Sequence, residues 1–208
     1  KYFVSYPDSV MVLKFTADRP GMQNLVFSYG SNPEATGTIK TDGTNRLLYT
    51  GQLKNNQMKF ALRIQAINKG GNLDVADGKF IVRNADEVIF LLTADTDYKL
   101  NFNPDFKDPK TYVGPNPEQT TLAMMDAAAG KSYNELCERH KTDYTQLFDR
   151  VKLQLNPHAP MTLQYPAVTD LPTYQRLARY RKGSPDYRLE EIYYQFGRYL
   201  LIASSRPG

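Results

Sequence analysis

The sequence has little of what covalent, redox and membrane chemistry require. Its 208 residues contain one cysteine, Cys137, so no disulfide can form within the chain. Tryptophan is absent, which counts against a surface built for stacking sugar rings. No apolar run approaches the ~20 residues that span a bilayer, so no membrane partner is expected. The motifs Gly-x-Ser-x-Gly and His-Glu-x-x-His and the phosphate-binding loop are also missing, which leaves no motif for those chemistries.

Positive charge is modest overall but locally concentrated. The formal charge is +4 and the pI is near 9. A basic cluster interleaved with Tyr180 and Tyr187 lies near the C-terminus; its members are Arg176, Arg179, Arg181, Lys182 and Arg188. Such a cluster is able to bind RNA or phosphate. We expect instead a solvated helix face with its loop, because basic runs are usually that, and no nucleic-acid partner is predicted.

Residues 1 to 98 carry the pattern of an antiparallel β-sandwich. Stretches rich in Val, Ile, Leu, Phe and Tyr predict strands at 10–15, 46–52, 58–66, 79–82 and 87–93. Within Met58–Ala66, apolar and polar residues alternate, as in a half-buried strand. Asp77-Gly78 predicts a hairpin, because a type I′ turn needs a positive φ at both central residues. Short strands separated by such turns favour a sandwich.

The apolar period changes from 2 to 3.6 after a proline-bearing stretch, Asn101–Asn116, which we interpret as a linker or long surface loop. Helices are predicted at 117–129, 132–151, 172–182 and 185–203. In the first, Leu122, Met125 and Ala129 share one side, with Gly130 as C-cap. Ser132 and Glu135 form a capping box for the second. The second carries one apolar stripe of Leu136, His140, Tyr144, Leu147, Phe148 and Val151.

The final helix is the element around which the chain is organised. Ser184 is the predicted N-cap, Pro185 suits the first helical position, and Arg198 lies towards the negative end of the helix dipole. Its apolar residues cover more than one face: Leu189, Ile192, Tyr193, Tyr194, Phe196, Tyr199, Leu200, Leu201, Ile202 and Ala203. Such a helix needs partners on several sides. We therefore expect it to begin a larger helical domain, and we expect both ends of the chain, which starts at Lys1 without methionine or signal peptide, to be cuts.

Two groups of residues are candidate chemical sites. Glu190 and Glu191 are adjacent, so they diverge by about 100° on a helix and cannot face one substrate together. Cys137, His140 and Asp143 are too few for a metal site, and His158 is distant in sequence. We expect His140 to be structural and Cys137 to be a small packed residue. No catalytic residue, metal or cofactor is predicted.

Four segments resemble glycoside hydrolase family 95, the α-L-fucosidase family. Two carry the beginning of its catalytic barrel: LPTYQRLARYRKG (171–183) and LEEIYYQFGRYLLIASSRPG (189–208). SYNELCERHKTDYTQLFDRVKLQL (132–155) is similar to its helical linker, and NADEVIFLLTADTDY (84–98) to the last strand of its N-terminal sandwich.

The resemblance implies a fold and an activity. Residues 1–100 correspond to the later part of the sandwich, 101–170 to the helical linker and 171–208 to the first helix of an (α/α)6 barrel. It implies an inverting hydrolase of α-L-fucosyl or, in some members, α-L-galactosyl linkages in oligosaccharides and glycans. It also implies a secreted or periplasmic bacterial protein.

The family's catalytic groups correspond to positions after Gly208, so none is carried over, and the fragment is expected to be inactive alone. Ser204, Ser205 and Arg206 match the Ser-Ser-Arg that leads into the active-site loop. Arg206 either orients a carboxylate or, as we favour, caps the C-terminal end of a helix.

Two alternatives stay open. The chain is also compatible with a non-catalytic scaffold or carbohydrate-binding module, which would need exposed aromatic platforms in a cleft. A disaccharide phosphorylase of the same architecture would use phosphate instead of water, with arginine or lysine near its pocket.

The exposed final helix also predicts self-association.

Overall fold

Antiparallel strands occupy the part of the chain in which the sequence predicts them. The structure, a computed structural model, describes residues 1–30, 33–155 and 171–206. The strands within it are β1 Tyr2–Ser5, β2 Val10–Thr16, β3 Gln23–Ser28, β4 Ala35–Thr41, β5 Arg46–Leu53, β6 Lys59–Lys69, β7 Asn72–Ala76, β8 Lys79–Ala85 and β9 Glu87–Thr96.

The five predicted strands are present as β2, β5, β6, β8 and β9, each extended by one to three residues at an end. The strands β1, β3, β4 and β7 were not predicted. β4 shows why, because ATGTIKT is exposed at six of its seven positions and has no apolar alternation. Its structure depends on pairing with β5, from Ala35 opposite Leu53 to Thr41 opposite Leu47.

Two antiparallel sheets pack face to face, as expected for a sandwich. One has the order β1-β2-β9-β6-β5-β4 and the other the order β3-β8-β7. The core between them draws buried residues from both sheets: Leu47, Ile64, Ala66, Phe80, Val82, Ala85, Val88 and Phe90. Phe27 of the smaller sheet stacks on Phe90 of the larger one, with ring centroids 4.2 Å apart. The predicted antiparallel fold, followed by helices, is confirmed.

The predicted hairpin at Asp77-Gly78 is also present. β7 and β8 pair up to Ala76 opposite Lys79, leaving two residues in the turn. The φ angles of Asp77 and Gly78 are 50° and 69°, the left-handed values that a type I′ turn requires.

Four helices follow within the described residues: α1 Pro117–Ala129, α2 Tyr133–Phe148, α3 Thr173–Arg181 and α4 Tyr187–Ser204. The chain divides into two compact units, Lys1–Lys141 and Thr142–Gly208. No described helix combines the length and apolar character needed to cross a bilayer. The sequence also predicts a proline-marked stretch at Asn156–Pro166, which, with His158, lies outside the described residues.

In the first unit, α1 covers the face of the larger sheet opposite the smaller one. The core on that face contains Val10, Val12 and Leu91 of the sheet, Met125 and Ala128 of α1, and Leu136 of α2. The predicted apolar side of α1 is wrong in part, because Leu122 is exposed while Thr121 and Ala128 are buried. The buried hydroxyl of Thr121 keeps a hydrogen-bond partner, since it donates to Pro117 O at 2.8 Å.

Two helix boundaries differ from the prediction by two residues or more. α2 ends at Phe148, three residues earlier than expected, so Val151 is outside it. α4 begins at Tyr187, and its N-cap is Asp186 instead of Ser184. The Asp186 carboxylate accepts from Leu189 N at 3.0 Å, which satisfies one of the first free amides of the helix. Other predicted caps are present: Gly130 caps α1, and Ser132 Oγ accepts from Glu135 N at 3.2 Å.

Candidate functional site

Three residues that the resemblance places near an active-site loop lie at the end of α4. Ser204 Oγ donates to Leu200 O at 2.8 Å, and the backbone N–H of Ser205, the C-cap, donates to Leu201 O at 2.8 Å. Arg206 extends to another helix instead, where its Nη2 lies 2.7 Å from Oδ2 of Asp143 on α2. The Arg206 side chain is only 14% exposed. The two serines therefore complete the helix, and the arginine fastens the chain that leaves it to α2.

A second arginine of α4 caps the C-terminus of α2. Arg198 donates to Phe148 O at 2.7 Å, to Val151 O at 2.9 Å and to Leu147 O at 3.4 Å. Its guanidinium also lies 4.8 Å from the centroid of the Phe148 ring. The last carbonyls of a helix have no partner within it, so this cation satisfies groups that would otherwise need water. The sequence predicted that the charge of Arg198 would interact with the dipole of its own helix. In the structure its guanidinium caps α2 instead.

α4 thus contacts the C-terminal turn of α2 within the second unit. Leu147 contributes its carbonyl oxygen, and Phe148 contributes both its carbonyl and its ring.

Aromatic side chains beside these contacts line a cleft of about 590 Å³, called here the aromatic cleft. Its lining comprises Tyr144, Phe148, Leu153, Arg188, Glu191, Ile192, Gln195, Phe196 and Tyr199. The Tyr144 ring centroid lies 5.3 Å from that of Phe148 and 6.1 Å from that of Tyr199. Burial raises the pKa of Tyr144 although the Arg198 charge opposes the shift, and Tyr199 raises it further. The phenol is therefore neutral at physiological pH.

The carboxylates at the start of α4 are held by neighbours. Glu191 is buried, and it accepts from Leu155 N at 2.8 Å and from Arg188 Nη1 at 3.0 Å. Glu190 accepts from the hydroxyl of Tyr180 at 2.9 Å. That hydrogen bond raises the pKa of Tyr180, and the negative charge of Glu190 adds to the shift. Each carboxylate has its own structural partner.

The basic cluster contains an ion pair that sequence analysis did not predict. Arg176 is buried and binds Asp186 in bidentate fashion, with Nε at 2.9 Å and Nη2 at 2.8 Å. This hydrogen bonding lowers the pKa of Asp186, against the effect of burial, and raises that of Arg176. The interpretation of the cluster as a solvated face is therefore wrong for Arg176, whose partner also caps α4. The remaining members that the structure describes are exposed.

The candidate metal ligands are not brought together. His140 stacks on Phe3, with ring centroids 5.0 Å apart, as a structural histidine would. Asp143 is bound to Arg206, and Cys137 is a partly buried free thiol. Over residues 1–30, 33–155 and 171–206, no three metal-binding side chains cluster. The geometry of the second unit fits a supporting role, since the side chains named here are engaged in holding α2, α3 and α4.

Two family models match the chain in the order that its architecture suggests. The model described as Glycosyl hydrolase family 95 catalytic domain matches residues 132–208. The resemblance to family 95 is confirmed. The model described as Glycosyl hydrolase family 65, N-terminal domain, matches residues 1–101, which contain the two sheets.

Two curated relatives that the chain resembles are named as fucosidases. The chain is 28% identical over 231 residues to "Alpha-L-fucosidase 2" of Arabidopsis thaliana, an alignment that covers 100% of this chain and 26% of that protein. It is 28% identical over 217 residues to "Probable alpha-fucosidase A" of Aspergillus niger, covering 99% of this chain and 25% of that protein. The chain therefore spans about a quarter of the length of these relatives.

A solved structure described as "Putative kojibiose phosphorylase from human microbiome" is also similar. The TM-score is 0.44 at 10% identity, over 71% of this chain and 21% of that one. A likeness at this level carries no argument about function.

Proposed function

We propose that this chain belongs to a glycoside hydrolase that removes α-L-fucosyl groups from oligosaccharides and glycans. The observation that carries the proposal is the match of residues 132–208 to the family 95 catalytic domain. Two relatives named as fucosidases, each aligned with nearly the whole chain, support the substrate class. Since the alignments cover about a quarter of those proteins, the activity is proposed for a longer polypeptide.

In this proposal the chain supplies scaffold and support. Residues 1–100 form the sandwich, 101–170 the helical linker and 171–208 the first helix of an (α/α)6 barrel. Arg198 and Arg206 hold α4 on α2, and Ser204, Ser205 and Arg206 fix the direction in which the chain leaves α4 towards the active-site loop. A displacement of about 1 Å near a reacting centre lowers rates strongly, so such anchoring matters for catalysis.

The proposed reaction is a direct displacement by water with inversion at the anomeric carbon. Water forms a bond to that carbon and loses a proton to a base, while the glycosidic oxygen leaves with a proton from a carboxylic acid. The acid and the base correspond to residues outside the 208 positions. The carboxylates Glu190, Glu191, Asp143 and Asp186 are engaged as described above, and no proton transfer is assigned to them.

The decisive experiment compares the longer gene product with the 208-residue chain. Each is incubated with an aryl α-L-fucoside, an aryl α-L-galactoside and a fucosylated oligosaccharide, with and without inorganic phosphate. The longer protein should release free fucose with an inverted anomeric configuration, visible by NMR at early times, and phosphate should have no effect. The chain alone should give no turnover, because a positioned acid or base contributes roughly 10²–10⁴-fold each.

Two outcomes would overturn the proposal. Release of a glycosyl phosphate only when phosphate is present would assign a phosphorylase instead. Absence of turnover by a folded longer protein on all three substrates would favour the non-catalytic scaffold. Turnover by the purified 208-residue chain would contradict the supporting role assigned to its residues.

Secretion or periplasmic location is proposed on the resemblance alone. Fractionation of the source cells followed by immunodetection tests this location. We expect to find the protein outside the cytoplasmic membrane.

A further inference from the structure

The first unit contains a cleft between the turn that joins β5 to β6 and the loop that follows β9. Its volume is about 480 Å³. We call it the loop cleft; its lining is Asn56, Gln57, Met58, Lys59, Asp97, Tyr98, Pro109, Lys110, Tyr112 and Val113. The loop is the stretch that the sequence marked only as a proline-bearing linker.

The loop side of the cleft is held by a network of hydrogen bonds. Lys99 N donates to Tyr112 O at 2.8 Å, and Tyr98 forms an antiparallel bridge with Val113. Across the base of the loop, Asn101 Nδ2 donates to Thr111 O at 3.2 Å. These contacts fix both tyrosines that line the cleft, so its shape is preformed and a ligand would not have to order it.

The turn side is fixed as well. Gln57 has a φ of 59°, which a non-glycine residue adopts at a cost of about 1 kcal/mol or more. The turn is closed by Leu53 N donating to Met58 O at 2.9 Å and by Met58 N donating to Asn56 Oδ1 at 3.1 Å.

A buried carboxylate contributes to the lining. Asp97 is 9% exposed, and its Oδ1 accepts from Lys59 N at 2.8 Å. Its Oδ2 accepts no hydrogen bond from any residue that the structure describes. This oxygen keeps contact with solvent, so it is able to accept a hydrogen bond from a ligand that enters the cleft.

Aromatic faces and cationic groups complete the lining. The rings of Tyr98 and Tyr112 are 6.0 Å apart and nearly parallel, with an interplanar angle of 18°. Tyr98 is 52% exposed, so part of its ring is open to solvent. The side chains of Lys59 and Lys110 are exposed donors.

We propose that the loop cleft binds a neutral saccharide. A sugar ring offers an apolar C–H face to a tyrosine ring and hydroxyl groups to carboxylate and ammonium partners, which is the mixture present here. Asp97 offers an acceptor and Lys59 and Lys110 offer donors, so a ligand with several hydroxyl groups, which both donate and accept, matches this lining better than an anionic or a purely apolar ligand. The absence of tryptophan does not exclude this site, because tyrosine supplies the aromatic faces. The proposal goes beyond hydrolysis and does not depend on it.

The test is a titration of the ¹⁵N-labelled 208-residue chain with three probes: fucosyllactose, maltotriose and the anionic trisaccharide trigalacturonate. Either neutral probe should shift the amide signals of residues 56–59 and 97–113 saturably, with a Kd in the range of about 0.1–5 mM. Tyr98→Ala should weaken binding at least about tenfold. Asp97→Asn, which keeps an acceptor for Lys59 N, should weaken it less.

Tyr2→Ala is the matched control, because Tyr2 is also an exposed tyrosine but does not line the cleft. It should leave the Kd within about twofold, which corresponds to less than 0.5 kcal/mol. The spectrum of each variant without ligand shows whether it is folded.

Three results would overturn the inference: no saturable shift with either neutral probe up to about 10 mM, binding of trigalacturonate alone, or equal Kd values for Tyr98→Ala and Tyr2→Ala. Failure here would leave the hydrolase proposal untouched, since that proposal is judged by turnover of the longer protein.

Discussion

At the scale of single residues, the structure shows how buried charges are stabilised. Asp8 has a side chain only 1% exposed, yet it is surrounded by donors. It accepts from Ser5 Oγ at 2.6 Å and from Arg139 Nε at 2.8 Å, and Lys131 Nζ lies 3.5 Å away. Burial alone would raise its pKa, but the hydrogen bonds and the two cations together lower it below the ordinary value of 3.8.

This shift predicts an acid-dependent loss of stability. A carboxylate whose folded pKa lies below its unfolded pKa stabilises the fold above the unfolded value of 3.8 and loses that contribution as pH falls through the folded value. Asp8→Asn should therefore lower the unfolding free energy at pH 7, and the difference from wild type should shrink below about pH 4. Urea denaturation of both proteins at several pH values measures it. A difference that is independent of pH would show that the charge of Asp8 is not the cause.

Partners of this kind were the least predictable feature of the sequence. Arg176 and Asp186 are ten positions apart, on α3 and at the N-cap of α4, and nothing local indicates that they pair. The capping box of Ser132 and Glu135 was predictable because its partners are three residues apart and belong to one helix.

At the scale of elements, local patterns predicted helices and central strands well. α1 has the predicted bounds, since the proline at its first position, the N-cap Asn116 and Gly130 mark both ends locally. The edge strand β4 was missed because its polar sequence forms a strand only by pairing with β5. The end of α2 was misplaced because Arg198, which caps it, comes from a distant part of the chain.

Removing that cap should destabilise the second unit. Arg198→Met keeps the aliphatic stem but leaves the carbonyls of Leu147, Phe148 and Val151 without their donor. Hydrogen bonds to charged groups contribute about 1.5–3 kcal/mol, so we expect a loss of about 2 kcal/mol, discounted for partial exposure. Urea denaturation measures this loss, and hydrogen exchange should accelerate at the C-terminal turn of α2. Arg181→Met, at an exposed arginine, is the control, and equal effects of the two variants would contradict the capping role.

At the scale of the whole chain, the family and the general architecture could be predicted, whereas the geometry of the candidate site could not. The segments quoted from 132–155 and 171–208 were sufficient to indicate family 95, because they are long and specific. The sequence also placed Arg206 at a helix end, but its contact with Asp143, 63 residues earlier, needed coordinates. The loop cleft was hidden because its lining comes from two segments about 40 residues apart.

The exposed face of α4 leads to a prediction about copies of the chain. Six large apolar side chains of this helix are at least 43% exposed: Ile192, Tyr193, Phe196, Tyr199, Leu200 and Leu201. Burying each stabilises an association by up to about 1.5–3 kcal/mol, so exposed apolar side chains of this number favour self-association. We expect the 208-residue chain to form dimers through α4 as its concentration rises. Sedimentation velocity should show the dimers, and amides 189–203 should exchange more slowly at the higher of two protein concentrations.

A pair of matched variants tests whether α4 is the contact surface. Leu201 and Val26 are equally exposed, at 64% and 63%, but Val26 lies on β3. A glutamate within an apolar interface is desolvated without a partner, so Leu201→Glu should raise the dimer dissociation constant at least about tenfold. Val26→Glu adds the same charge outside α4 and should leave that constant nearly unchanged. Concentration-independent protection of amides 189–203 in the wild-type chain would mean that the contacts of α4 with α2 are sufficient to hold the helix and that its exposed face does not drive association.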